Sequence, residues 1–107
     1  MRTLRTFNEV QEEYYREHPE EIDEFLEVTF EEYAKDKDTG ALLSALRMIS
    51  RVKGVSATAE NAGMTRKGLQ KALSRESKPR FESINAILDA MGYHLMPHRV
   101  NNNGLSA

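Results

Sequence analysis

Residues 63–74 read GMTRKGLQKALS, a glycine turn followed by a short capped helix. Thr65 is a favoured helix N-cap, because its hydroxyl can accept a backbone N–H of the first turn. Arg66 and Lys67 then fall in that first turn. This is the positive end of the helix dipole, where cations cost a little stability. An anion bound there would offset the cost. On a wheel of about 100° per residue, Arg66, Lys67, Gln70, Lys71 and Ser74 share one arc, while Gly68, Leu69, Ala72 and Leu73 share the opposite one.

The sequence just upstream supplies a partner for this helix. Ser56 is read as the cap of a short helix over 57–62, ended by Gly63. Two short helices joined by a tight glycine-containing turn predict a helix-turn-helix. The chemistry of the polar arc favours double-stranded DNA. Arginine pairs with guanine and glutamine with adenine in the major groove. Ser56, Thr65, Arg66, Lys67, Gln70, Lys71 and Ser74 are the candidate DNA-binding residues, with Lys78 and Arg80 beyond the helix placed for backbone phosphates. Gly68 in mid-helix costs about 1 kcal/mol relative to alanine. It is read as a point of close helix approach, with Ala59 and Ala62 opposite.

Further out, Leu42, Leu43, Leu46, Ile49 and Val52 follow helical spacing up to Gly54, and Phe81, Ile84, Ile87, Leu88 and Met91 do so up to Gly92. His18-Pro19-Glu20-Glu21 opens another helix, with proline and two acids where a helix start favours them. Ile22, Phe25, Leu26, Phe30 and Tyr33 continue it. Phe7, Val10 and Tyr14 hint at a first helix with no clear cap. Residues 36–40, DKDTG, resemble the opening of a calcium loop, but its fifth and twelfth positions hold Gly40 and Arg47. They are read as a loop that ends one helix and caps the next. Residues 93–96 alternate apolar and polar, which predicts a short strand that could pair with a second copy. The expected organisation is an acidic helical segment over 1–40, a DNA-binding domain over 41–98, and a flexible tail over 99–107.

Composition narrows the function. The 107 residues carry no cysteine, so no disulfide or thiolate site is expected. No apolar run reaches the length of a membrane span, and the start lacks a signal-peptide pattern. A soluble, cytoplasmic chain is expected. The net charge of −2 is divided unevenly. Residues 1–40 hold five Lys/Arg against thirteen Asp/Glu, a net −8, and residues 41–107 hold ten against four, a net +6. Two surfaces with different partners follow. His94 and His98 are spaced like helical metal ligands, but Pro97 opposes a helix and no third ligand is in view. With no nucleophile–base order and no glycine-rich phosphate loop, the chain reads as a non-enzyme without metal or cofactor.

The segment ALLSALRMISRVKGVSATAENAGMTRKGLQKALSRESKPRFESINAILDAMGYHL resembles the addiction-module antidote proteins, HigA-like antitoxins of the Xre/Cro-like class. The shared pattern runs through Gly54, Ser56, Ala59, Gly63, Arg66, Gly68, Leu69, Lys71, Ala72, Leu73, Ser74, Pro79, Arg80, Phe81, Leu88 and Gly92. Ala57 departs from the family's glutamine, a phosphate-clamping residue in related repressors. Lys67 and Gln70 replace its Glu and Tyr, so the operator sequence does not transfer. The resemblance implies an all-α, lambda-repressor-like bundle that acts as a homodimer on an operator. It also implies a RelE/HigB-like ribonuclease toxin as partner and repression of the chain's own operon. Such toxins are basic, which suits contact with the acidic segment through Phe7, Glu9, Tyr14 and Tyr15. Read from the residues alone, Phe7, Tyr14 and Tyr15 are expected to pack on the chain's own helical core, with a partner surface as the other reading. A phage-type repressor without a toxin, or an interaction module that no longer reads DNA, remain the alternatives.

Overall fold

A computed structural model describes residues 6–100, whose regular structure is entirely helical: α1 (Phe7–Glu17), α2 (Ile22–Asp36), α3 (Thr39–Lys53), α4 (Val55–Asn61), α5 (Arg66–Ala72) and α6 (Phe81–Met91). A single 3-10 turn, Pro19–Glu21, leads into α2. Local chemistry sets most boundaries. Lys37 turns left-handed after α2, and the Asp38 carboxylate accepts the Ala41 N–H at 3.0 Å to cap α3. Residues 36–40 therefore end one helix and cap the next, as expected from their sequence. Gly54, at φ +107°, ends α3.

The core forms where the apolar stripes of these helices meet. Leu43, Leu46 and Ile49 of α3 are buried among Ile22 and Leu26 of α2, Ala59 of α4, Leu69 of α5, the following Leu73, and Ile87 and Leu88 of α6. Each fully buried Leu or Ile contributes about 1.5–3 kcal/mol. Tyr15, Phe25, Phe30 and Tyr33 pack around this centre, half-buried.

The structure corrects four sequence-based expectations here. Gly54, not Ser56, precedes the first residue of α4, so Ser56 lies inside the first turn. Phe81 shares the spacing of the α6 stripe but is 69% exposed. No strand forms over 93–96, nor anywhere among the described residues. The alternation there has another cause. Tyr93 and Leu95 turn inward onto the core, and the Tyr93 hydroxyl donates to Asp23 of α2 at 2.7 Å. The Tyr93 N–H is taken by the Leu88 carbonyl, which closes α6. Of the expected tail over 99–107, residues 101–107 lie outside the described residues, and Arg99 and Val100 are exposed and irregular.

The fourth correction concerns α1. Its start is fully capped: the Thr6 hydroxyl accepts the Glu9 N–H at 3.0 Å, and the Glu9 carboxylate accepts the Thr6 N–H at 2.9 Å. This capping box is legible in the sequence as Thr6-x-x-Glu9, a signal that the sequence reading missed. Its inner face is polar as well as aromatic. Glu12 is buried and accepts from Arg51 of α3 at 2.8 Å and from Arg16 at 2.9 Å. Phe7 and Tyr14 do not pack inward as expected; they are 75% and 42% exposed.

Candidate nucleic-acid interface

The turn between α4 and α5 is a closed unit. Gly63 sits at φ +72°, in the left-handed region that favours glycine. This lets the Met64 N–H reach the Ala59 carbonyl at 2.9 Å while the Gly63 N–H bonds Glu60 at 3.1 Å. That pair of bonds is the Schellman closure of a helix end. Thr65 follows as the cap of α5, its hydroxyl accepting the Gly68 N–H at 2.9 Å. The cap expected from sequence is therefore present at Thr65.

The two arcs of α5 separate as the wheel predicts. Leu69 and Leu73 are fully buried, while Arg66, Lys67, Gln70 and Lys71 are exposed. Ser74 is half-buried, and its hydroxyl donates to the Lys71 carbonyl at 3.0 Å. Gly68 differs from its expected role. A Cβ there would meet the Thr65 hydroxyl at 3.0 Å and no atom of α4. Its glycine clears space for the cap of its own helix rather than for a neighbouring helix.

Side chains hold both ends of α5. At the start, Arg66 donates to the Ser56 hydroxyl at 3.0 Å and ties α5 to the first turn of α4. At the far end, Arg47 of α3 donates to the Leu73 carbonyl at 2.9 Å, and the Ser77 hydroxyl to the Ala72 carbonyl at 2.8 Å. These carbonyls would otherwise lack helical partners. Arg47 escaped the sequence reading because its target lies 26 residues away. The result is a short helix clamped at both ends, with a cationic and amide surface facing solvent.

Beside that surface runs an open cleft of about 570 Å³, lined in part by Lys71, Ser74, Ser77, Lys78, Arg80 and Ser83. Four sequence-assigned residues, Lys71, Ser74, Lys78 and Arg80, are thereby brought together; Glu76 also lines the cleft. Lys78 and Arg80 are exposed, and Arg80 lies 3.9 Å from the equally exposed Glu82. Such a pair is worth little in water. Cations beside hydroxyls in an open groove suit a sugar-phosphate backbone.

Among the described residues, no three His, Cys, Asp or Glu side chains gather as a metal site, and no helix is long and apolar enough to cross a membrane. The residues assigned to toxin contact lie elsewhere, on α1. Phe7 and Tyr14 are exposed there, Glu9 serves the cap, and the Tyr15 ring packs 5.0 Å from Phe25.

A family model described as "probable addiction module antidote protein" matches residues 4–99. The chain belongs to this family of addiction-module antidote proteins. Membership implies an antitoxin role and a cognate toxin as partner. An uncharacterized protein of Haemophilus influenzae is 32% identical over 69 residues, which span 64% of this chain and 71% of that protein. No solved structure matches the chain.

Proposed function

We propose that this antidote protein is also a DNA-binding regulator of the HigA-like, Xre/Cro-like class, with α4 and α5 as its helix-turn-helix. The observation that carries the proposal is the surface of α5. Arg66, Lys67, Gln70 and Lys71 face solvent on a helix whose other side is sealed by Leu69 and Leu73. A rigid helix with long donors and an amide outward suits the major groove. Lys78 and Arg80 then track phosphates along the adjoining cleft.

One such helix spans only a few base pairs. A homodimer on an inverted repeat, with half-sites about one helical turn apart, gives this class its operator affinity. Residues 41–98 serve as the DNA-binding part, and residues 1–40 as an acidic helical segment that DNA repels. The partner neutralised is a RelE/HigB-like ribonuclease toxin, and the operon repressed is the chain's own. No catalytic role is assigned to the chain, and a cytoplasmic location follows from the DNA target.

The test is fluorescence anisotropy on labelled duplex from upstream of the chain's own gene. Arg66→Ala should cost about 1–3 kcal/mol of specific binding and relax preference at one base pair. Unchanged affinity and preference in Arg66→Ala would show that α5 does not read the operator.

A further inference from the structure

Helix α1 is amphipathic in the wrong sense for a core helix. Its buried residue is the carboxylate Glu12, tied to Arg51 and Arg16. Its outer face carries Phe7, Val10 and Tyr14, exposed by 75%, 50% and 42%. Positions i, i+3 and i+7 set these three on one stripe about two turns long. A solvated helix gains nothing from such a stripe, whereas a docking helix does.

Carboxylates border the stripe. Glu13 and Glu17 follow it on α1, four residues apart and exposed. Just past the end of α1 come Glu20 and Glu21 of the 3-10 turn, with the Tyr14 hydroxyl donating to Glu21 at 2.8 Å and its ring stacked on His18 at 4.3 Å. An apolar strip edged by acids selects its occupant by charge. Nucleic acid and anionic lipid have the wrong sign. A second copy of α1 would set two segments of net −8 against each other.

We propose that the outer face of α1 is the docking surface for a cationic protein, the toxin that this antidote neutralises; this rests on the antitoxin reading. A partner surface rich in Lys and Arg matches these carboxylates. The carboxylates speed encounter, and Phe7, Val10 and Tyr14 hold the complex once formed. This revises the residues expected from sequence. Val10 joins the surface, while Tyr15 leaves it because its ring packs on Phe25. Glu9 is occupied at the cap.

The experiment titrates the full chain with the purified product of the adjacent open reading frame, by calorimetry and stopped-flow. It compares wild type, the double variant Phe7→Ser/Tyr14→Ser, and the single variants Val10→Lys and Glu17→Lys. The double variant should bind about 100-fold more weakly. Glu17→Lys should slow association and flatten its salt dependence. Val10→Lys and Glu17→Lys should keep the wild-type melting midpoint, and all variants should keep the affinity for upstream DNA. Wild type that binds while the double variant binds equally well overturns the docking face and leaves the antitoxin role standing. Wild type that fails to bind overturns the antitoxin role and the docking face together. If the double variant unfolds, the single variants decide: unaltered affinity in Val10→Lys with an unaltered rate in Glu17→Lys overturns the proposal.

Discussion

Glu12 shows how one residue can set the orientation of a helix. Its two carboxylate oxygens are shared between Arg51 of α3 and Arg16 of its own helix. Turning α1 over would bury Phe7 and Tyr14 but break this pairing. Glu12→Ala should destabilise the chain by about 1–3 kcal/mol, because Arg51 is left half-buried without its acceptor. Arg16→Ala should cost less than about 1 kcal/mol, since Arg16 is half exposed and its pair screened. Urea unfolding of both variants checks the order. Tyr93 gives a pH signature. Burial, and then its hydrogen bond to Asp23, raise the phenol above its ordinary value. The folded chain therefore holds this proton more tightly than the unfolded chain. The resulting stability is fully present below a pH of about 10 and is lost as pH rises above it. Tyr93→Phe should start less stable at neutral pH, having lost the bond, and decline less steeply in alkali. Thermal melts from pH 8 to 11 check this; parallel slopes would deny Tyr93 the role.

At the scale of elements, α5 is too short to hold itself together. An isolated helix of this length is unstable in water. Its order comes from a cap at Thr65, the Arg66–Ser56 bond, and the carbonyl contacts of Arg47 and Ser77. Thr65→Ala should cost about 1 kcal/mol of stability. Its effect on operator binding should be sequence-independent, because the cap orients the whole helix rather than reading a base. Equilibrium unfolding and anisotropy on matched and mismatched duplexes separate the two effects. A loss confined to one base position would mean that Thr65 itself touches a base.

For the whole molecule, charge is the organising variable. The net −8 of residues 1–40 and the net +6 of residues 41–107 cancel nearly to neutrality, so overall charge conceals both surfaces. Salt distinguishes them. Each phosphate contact by a cation releases counterions and steepens the fall of affinity with salt. Lys78→Ala should weaken binding to every duplex alike and reduce the log–log salt slope by about 1 per subunit. Anisotropy between 50 and 200 mM salt measures it. An unaltered slope would place Lys78 off the phosphate track.

Much of this protein was legible in its sequence because the deciding physics is local. Helix periods, the Thr65 cap, the Asp38 cap, and the glycines at 54, 63 and 92 depend on residues within a few positions of one another. They located α2 through α6, though not the starts of α2 and α4, and separated the two arcs of α5. Tertiary structure decided what short-range chemistry leaves open. Phe7, Val10 and Tyr14 carry the same spacing as a core stripe, but the Glu12–Arg51 pair, 39 residues apart, and the Tyr15 ring on Phe25 hold another face of α1 inward. Residues 93–96 alternate like a strand, yet Asp23, 70 residues away, claims Tyr93 and leaves no ladder. Gly68 looked like a helix contact until its missing Cβ proved to be clearance for Thr65. Periodicity shows which residues share a face, but which way that face turns depends on partners distant in the chain.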